Sequence, residues 1–170
     1  KSAQVDWKED FKLINKHGEV FTINLFLMRL HYSKKFYARL TIDKKRDEVK
    51  TCIVKSLEYF EGTPSEIWFD NMPTVMVKEG KNKKVHNEIK QLGNDIGFQP
   101  ILCRSRRPKT KGSVENLAKL CDRLLSYNNE FETLNDLIEI VNKFNEECGK
   151  EKSQAHNKIV NDVFEDEKNI

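Results

Sequence analysis

An almost unbroken apolar run, Val20 to Leu30, constrains the fold more than any other stretch of the sequence. A strand that is apolar along its whole length is usually covered on both faces, so this run predicts a central strand of a sheet. Strand patterns at residues 3–14 and 36–42 flank it, and both connections are short. Short connections join antiparallel neighbours. The first 42 residues therefore predict a three-stranded antiparallel meander.

Beyond the meander, the spacing of the apolar residues changes to that of a helix. Residues 44–61 have one apolar face, and a short apolar strand, residues 67–69, then leads to Asp70. A helix between two strands of one sheet implies a right-handed crossover. We therefore expect this fourth strand to lie beside the first and parallel to it. Asp6, in the first strand, and Asp70 would then be neighbours.

The middle of the chain predicts one more helix and one more strand. Apolar residues recur at helical spacing between Val85 and Ile96, and residues 98–103 have the pattern of a fifth strand. Residues 78–84, which precede this helix, are polar and rich in lysine, and we interpret them as a loop. The expected fold class is α/β, with a five-stranded mixed sheet flanked by helices.

A strongly basic segment follows the fifth strand and runs into a helix that carries Glu115 in its first turn. Five of the eight residues from 104 to 111 are cationic. Apolar residues from Val114 to Leu125 recur with a period near 3.6, which predicts the helix. So much positive charge beside a carboxylate favours a polyanionic or metal-bound partner. The alternative is that Glu115 is an ordinary acid in the first turn of a helix.

The length and the charge distribution indicate one basic domain with an acidic end. We divide the 170 residues into a core, residues 1–128, and a helical C-terminal extension, residues 129–170. A capping-box pattern, Thr133 to Asp136, opens a helix in the extension, and a last short helix is expected near residues 158–165. Residues 1–129 carry 25 bases and 16 acids, whereas residues 130–170 carry 5 bases and 11 acids. The basic body favours a polyanionic partner.

Several other functions find no support in the sequence. The four cysteines form no CxxC pair, so neither a zinc site nor a disulfide framework is indicated. No apolar run is long enough to span a membrane, and no signal peptide is evident. We expect a cytoplasmic protein without a membrane partner, and expect the chain to be one domain of a longer protein.

The predicted order βββαβαβα, with acids on the first strand, after the fourth strand and in a late helix, resembles the ribonuclease-H-like fold. More narrowly, the chain resembles the catalytic cores of DDE transposases and retroviral integrases, and most closely the IstA-type transposases of bacterial insertion sequences. The matching stretches are Gln4-Val5-Asp6-Trp7, Trp68-Phe69-Asp70-Asn71-Met72 and Lys109-Thr110-Lys111-Gly112-Ser113-Val114-Glu115-Asn116. Glu115 follows Asp70 by 45 positions, a wider spacing than in the retroviral enzymes, and the lysine-rich segment fits the extra length.

The resemblance implies the catalytic groups and their cofactor. Asp6, Asp70 and Glu115 match the catalytic triad of the family, which holds two Mg²⁺ or Mn²⁺ ions. Asp6 would bridge both ions, and Asp70 and Glu115 would each hold one. Asn71 and Asn116, beside two of the acids, are candidates to orient ligands or water, although turn and cap roles are equally open.

The resemblance also implies a reaction and partners. The family cleaves transposon ends and joins their 3′-hydroxyls to target DNA, as a multimer with an ATPase helper. Candidate DNA-backbone contacts are the five cations Arg104, Arg106, Arg107, Lys109 and Lys111. Two alternatives remain open: a ribonuclease-H-like nuclease, which would need a fourth acid such as Glu48 or Glu58, and an inactive module that only binds DNA or partners.

Overall fold

A computed structural model describes residues 1–70, 72–103 and 117–169 of the chain. Five strands form one mixed sheet in the order β3-β2-β1-β4-β7. β1, β2 and β3 are antiparallel, whereas β4 and β7 run parallel to β1. The strands are β1 (Ser2–Ile14), β2 (Val20–Leu30), β3 (Phe36–Thr41), β4 (Glu66–Phe69) and β7 (Gln99–Leu102). The predicted mixed sheet is therefore confirmed.

β2 is an interior strand, next to the middle strand β1, and it is covered on both faces, as its apolar run predicted. Phe26 and Met28 belong to one hydrophobic cluster, whereas Leu25 and Leu27 belong to a second cluster on the opposite face. All four side chains are fully buried. Because successive side chains of a strand point to opposite faces, one strand supplies both cores.

One helix covers each face of the meander. α1 (Arg46–Tyr59) buries Val49, Ile53 and other residues in the first cluster. α3 (Leu134–Gly149) buries its apolar stripe in the second cluster. Two further α-helices in the described part of the chain are α2 (Asn87–Ile96) and α4 (Val160–Lys168).

The C-terminal part of the chain shares a core with the N-terminal part. The predicted capping box is present, since the Thr133 side chain accepts from the Asp136 amide and the Asp136 side chain accepts from the Thr133 amide. The helix that begins there packs on strands from the first 41 residues. A boundary at residue 128 remains a proposal. The extension covers the second face of the sheet, because its helix contributes to the second cluster.

The lysine-rich segment is not the loop that its polarity suggested. It forms a hairpin of β5 (Met76–Glu79) and β6 (Asn82–Val85), separate from the main sheet. A two-residue turn, Gly80-Lys81, joins the strands, and Gly80 adopts a positive φ of 60°. Four lysines among ten residues hid the strand pattern. A second small hairpin consists of β8 (Lys152–Ser153) and β9 (Lys158–Ile159), so α4 starts later than predicted.

The helix predicted up to Leu125 changes type. Residues 117–120 are α-helical, and Cys121–Tyr127 is a 3₁₀ helix. Residues three apart lie above one another in a 3₁₀ helix, so Cys121 and Leu124 are both buried. Leu125, which an α-helical stripe would have turned inward, is 42 % exposed.

Candidate active site

Asp6 and Asp70 lie side by side on two neighbouring parallel strands. Val5 of β1 pairs in register with Phe69 of β4. The amide of Asp70 donates to the carbonyl oxygen of Val5 at 3.4 Å, which extends the pairing by one step. The structure thus brings the two acids together at the position that the crossover argument predicted.

The carboxyl group of Asp6 is partly buried and lies close to other acids. Its Oδ1 accepts a hydrogen bond of 2.8 Å from the amide of Trp7. The pKa of Asp6 is raised to about 6, mainly by burial and to a smaller extent by the charges of Asp70 and Glu9, against the effect of that hydrogen bond. Like charges that share a site disfavour ionisation, whereas a bound cation would favour it.

The side chain of Asp6 lies on the face of the sheet that the second cluster covers. Its neighbour Trp7, on the other face, packs edge-on against Phe26 in the first cluster. Lys8, two residues beyond Asp6 on the same face, pairs with Asp122 of the 3₁₀ helix at 3.2 Å. The chain that follows the basic segment therefore packs on the side of the sheet that carries Asp6.

A β-bulge interrupts β1 directly beyond Lys8. The register of β1 against β2 shifts between Lys8 and Phe11. Asp10 has a positive φ of 50°, and its amide donates to Asn24 Oδ1 at 3.1 Å. Bulges are frequent beside active sites, where they end or redirect a strand. This bulge lies on the strand that carries Asp6.

Cys103 is a neighbour of the acidic pair that the sequence did not single out. Its amide donates to the carbonyl oxygen of Phe69 at 2.9 Å, just beyond the end of β7. The pKa of the Cys103 thiol is raised to about 11, mainly by burial and to a smaller extent by the charges of Asp70 and Asp6. The predicted strand order could have identified Cys103, because β1, β4 and β7 are adjacent parallel strands and Cys103 directly follows β7.

The remaining predicted site residues lie outside the described parts of the chain. They are Asn71, Arg104, Arg106, Arg107, Lys109, Lys111, Glu115 and Asn116. Within residues 1–70, 72–103 and 117–169, no group of three or more acids, histidines and cysteines could hold a metal ion. The candidate site is therefore described at two of its three acids.

The two acids suggested as a fourth ligand each pair with a cationic side chain. Glu48 contacts Arg39 at 3.8 Å and accepts from the Cys52 thiol. Glu58 pairs with Lys55, one turn earlier on the same helix, at 3.5 Å. Neither is among the charges that shift the pKa of Asp6.

Relatives of known sequence are transposases of bacterial insertion sequences. No protein-family model matches the chain. The transposase of IS232 from Bacillus thuringiensis is 33 % identical in an alignment of 171 positions, which covers 99 % of this chain and 39 % of the relative. A putative transposase of IS5376 from Geobacillus stearothermophilus is 29 % identical over 155 residues, 89 % of this chain and 38 % of the relative. The chain thus spans about two fifths of these relatives.

Solved structures with the same fold are retroviral integrases. The catalytic core domain of BIV integrase superposes with a TM-score of 0.70 at 15 % identity, over 99 % of this chain and 95 % of that one. An HTLV-2 integrase catalytic core in complex with magnesium gives 0.63 at 15 % identity, over 96 % and 95 % of the two chains. The fold is therefore that of an integrase catalytic core, which is ribonuclease-H-like. In sequence, the chain is a relative of insertion-sequence transposases, as its three acidic motifs implied.

None of the helices in the described residues is both long enough and apolar enough to cross a bilayer.

Proposed function

We propose that this chain is the catalytic domain of a DNA transposase that cleaves transposon ends and transfers their 3′-hydroxyls into target DNA. The observation that carries the proposal is the placement of Asp6 and Asp70 on adjacent parallel strands of an integrase fold. The similarity to insertion-sequence transposases over nearly the whole chain supports the same reaction. Because the chain spans only part of those relatives, the activity of the whole protein is part of the proposal.

The acidic pair fits a divalent cation, and we propose two Mg²⁺ or Mn²⁺ ions held by Asp6, Asp70 and Glu115. Carboxylate oxygens are the ligands that these hard cations prefer. Burial and neighbouring negative charge make the Asp6 carboxyl reluctant to ionise, and a positive ion would offset both effects. When bound, such ions stabilise charge on the attacking and leaving oxygens of a phosphoryl transfer.

Glu115 is the proposed third acid because of the residues that follow it. It precedes Leu117 by two positions, and Leu117 and Cys121 are fully buried in the second cluster. That cluster lies on the face of the sheet that carries Asp6. Burial raises the pKa of the Cys121 thiol to about 12, and Asp6 is among the nearby charges that add to the shift.

Within this proposal, the protein binds and orients DNA rather than forming a covalent intermediate. The cations Arg104, Arg106, Arg107, Lys109 and Lys111 are proposed to hold the DNA backbone near Glu115. Asn71 and Asn116 follow two of the acids directly and are proposed to orient a ligand or a water molecule. Asp6 and Asp70 hold their positions through the backbone pairing of β1 with β4.

The test is strand transfer of a pre-cleaved transposon end into a plasmid in Mn²⁺, with three single variants. We expect Asp6→Asn, Asp70→Asn and Glu115→Gln each to lower the rate at least about a hundredfold. Loss of a residue that only hydrogen-bonds to a metal ligand already lowers metal affinity or activity by about 10- to 100-fold. Glu139→Gln, which removes an exposed carboxylate of α3, is the matched control. Full activity of any of the three variants would remove that residue from the site.

The same assay separates the alternatives. A ribonuclease-H-like nuclease would cut DNA or RNA without joining, and the contacts of Glu48 and Glu58 do not favour it. An inactive module would bind DNA without turnover in either metal.

The assembly is proposed from the family resemblance. We propose a homo-multimer that acts on DNA in the bacterial cytoplasm, at the nucleoid, with an ATPase helper. The fold is shared with a simian T-cell lymphotropic virus intasome chain, at a TM-score of 0.71 and 15 % identity over 96 % of this chain and 53 % of that one. Sedimentation with and without transposon-end DNA would test the multimer.

A further inference from the structure

We propose that the β5–β6 hairpin, residues 76–85, is a second DNA-binding element that grips the backbone of duplex DNA beside the candidate active site. This inference rests on the proposed function, because it takes DNA to be the substrate. The residues of the hairpin are separate in sequence from the basic segment 104–111.

The hairpin concentrates positive charge on an exposed surface. Lys78, Lys81, Lys83 and Lys84 are all exposed, and Glu79 is the single acid among its ten residues. Lys84 forms an ion pair with Glu79 across the strands. The acid is thus engaged within the hairpin, and the segment keeps a net charge of +3.

The register places two of these lysines directly opposite each other. Lys78 pairs with Lys83 across the ladder, so both side chains lie on one face. Like charges at directly opposite positions destabilise a two-stranded ladder. An isolated hairpin is only marginally stable in any case, and a bound polyanion would relieve the repulsion.

The base of the hairpin is fixed in the core immediately after the acidic pair. Met72 and Val75, which follow Asp70, are buried in the first cluster. The amide of His86 donates to the carbonyl oxygen of Val75 at 2.7 Å and closes the base. The lysines are therefore presented on a short arm whose base begins two residues after Asp70.

A groove beside the hairpin extends the donor surface. It has a volume of about 580 Å³, and its lining includes Lys84, Lys90, Asn94 and Gln99. The acid Glu88, nearby on α2, is held by Arg46 and Lys50 of α1 at 3.2 Å each. Lysine and amide side chains donate hydrogen bonds to the phosphate oxygens of DNA.

The size and chemistry of the arm suit the DNA backbone rather than base recognition. A two-stranded ribbon fits the major groove, which is about 12 Å wide. Lysines on both strands and at the tip would reach phosphates on its rims. A lysine ammonium is a point charge without the planar, bidentate geometry of an arginine guanidinium. We therefore expect binding that does not depend on the DNA sequence.

The experiment compares two triple variants that lose the same charge. Lys78, Lys81 and Lys83 are replaced by Gln in the first, and Lys150, Lys152 and Lys158 near the β8–β9 hairpin are replaced in the control. All six side chains are exposed. Lys84 is kept because it pairs with Glu79. Binding to a short duplex of mixed sequence is measured without metal, between about 50 and about 200 mM salt.

The hairpin variant should bind at least about tenfold more weakly at the lower salt concentration, and its log–log salt slope should fall by about 2 to 3, since each phosphate contact contributes about 0.9. The control should lose much less on both measures. Arginine at the same three positions should restore binding. The single variant Lys81→Glu, at the exposed turn, gives a test that leaves the ladder intact and should also weaken binding.

Equal losses in the hairpin variant and the control would overturn the inference, because only general charge would then matter. An effect on self-association without an effect on DNA binding would also overturn it, and would point to the acidic C-terminal extension of a second copy. Strand transfer at saturating DNA is measured separately. Hairpin-dependent binding by a protein without strand-transfer activity would leave the DNA-binding arm standing while the proposed function failed.

Discussion

Asp70 donates its backbone amide to the carbonyl oxygen of Val5 at 3.4 Å, so the neighbour of Val5, Asp6, lies beside it at the same level of the sheet. The backbone of two parallel strands, rather than a side-chain contact, sets the spacing of the acids. The sheet therefore holds two negative charges together at a cost in stability. Strain or repulsion of this kind persists where the surrounding structure enforces it, often at functional sites.

The first prediction is that Asp6→Asn stabilises the metal-free protein while it abolishes activity. The pKa of Asp6 is raised to about 6, so the folded state holds a proton that the unfolded state has lost between pH 3.8 and 6. The stability that this proton contributes is present below pH 3.8 and disappears as the pH rises through 6. At pH 7.5 the wild-type protein therefore bears the full cost of a partly buried charge.

Asparagine has no such charge, so we expect the variant to gain about 1 to 2 kcal/mol at pH 7.5, after allowance for solvent screening of a partly exposed group. The gain should vanish near pH 4. Denaturant unfolding at both pH values with a chelator present measures it, and Glu139→Gln is the control. Added Mn²⁺ should stabilise the wild-type protein and not the variant. A variant less stable than wild type at pH 7.5 would contradict the argument.

Much of the site could be predicted because strand patterns and crossover handedness are local or general rules. The apolar run of β2, the meander and the position of β4 place Asp6 beside Asp70 without any tertiary detail. Cys103 and the β5–β6 hairpin were missed for different reasons. The thiol becomes a neighbour of the acids only through the order of three parallel strands, and the lysines of the hairpin conceal its alternation.

The exposure of Leu125 shows a different limit of sequence reasoning. An α-helical period places it in the apolar stripe, but the chain changes to a 3₁₀ helix at Cys121. Tertiary packing decides that change, because Cys121 and Leu124 both reach the second cluster at a spacing of three. The spacing of apolar residues within one segment therefore cannot predict where the helix changes type.

A second prediction concerns the edge of the sheet. Asn145 of α3 is buried, and its side chain both accepts from the amide of Ala38 and donates to its carbonyl oxygen, each at 2.8 Å. This pair of hydrogen bonds closes the outer edge of β3. We expect Asn145→Ala to lower the free energy of unfolding by about 3 kcal/mol, since buried backbone groups lose their partner.

Denaturant unfolding measures this loss, and Asn142→Ala is the control, because Asn142 is exposed on the same helix. The control should change stability by less than about 0.5 kcal/mol. Equal effects of the two substitutions would show that the edge of β3 does not depend on α3. The C-terminal extension would then be less integral to the core than its contacts indicate.

A third prediction sets helix propensity against packing at Gly93. Alanine is the better helix former by about 1 kcal/mol, so propensity alone predicts that Gly93→Ala stabilises α2. A Cβ at this position would lie 2.5 Å from the Phe98 carbonyl oxygen and 3.2 Å from Pro100 Cδ. We expect a net loss of about 1 to 3 kcal/mol, because α2 must move away from β7.

Gly62→Ala provides the control for Gly93, since an added Cβ there meets no atom within 4 Å. Its effect should stay within about 0.5 kcal/mol. Thermal unfolding of both variants decides the matter. A stabilising Gly93→Ala would show that α2 and β7 approach less closely than described.

The last prediction is a loss of stability in mild acid that depends on His31. The ring of His31 is half-buried and bonds to Ser2 Oγ at 2.5 Å and to Gln4 Oε1 at 3.2 Å. A neutral imidazole satisfies both partners by accepting from the hydroxyl and donating to the amide oxygen. Burial lowers the pKa of His31, and the charges of Lys34 and Arg29 lower it further.

Because the folded pKa of His31 lies below the unfolded value of 6.5, the unfolded chain binds a proton that the folded chain does not. The contribution of neutral His31 is therefore complete well above pH 6.5 and is lost as the pH falls below that value. The raised pKa of Asp6 acts in the opposite direction between pH 3.8 and 6, so the wild-type curve alone is ambiguous. The difference between the wild-type protein and His31→Gln isolates the histidine: it should be largest at pH 8 and shrink towards pH 5. A difference that is independent of pH, or one that His156→Gln reproduces, would show that protonation of His31 is not linked to folding.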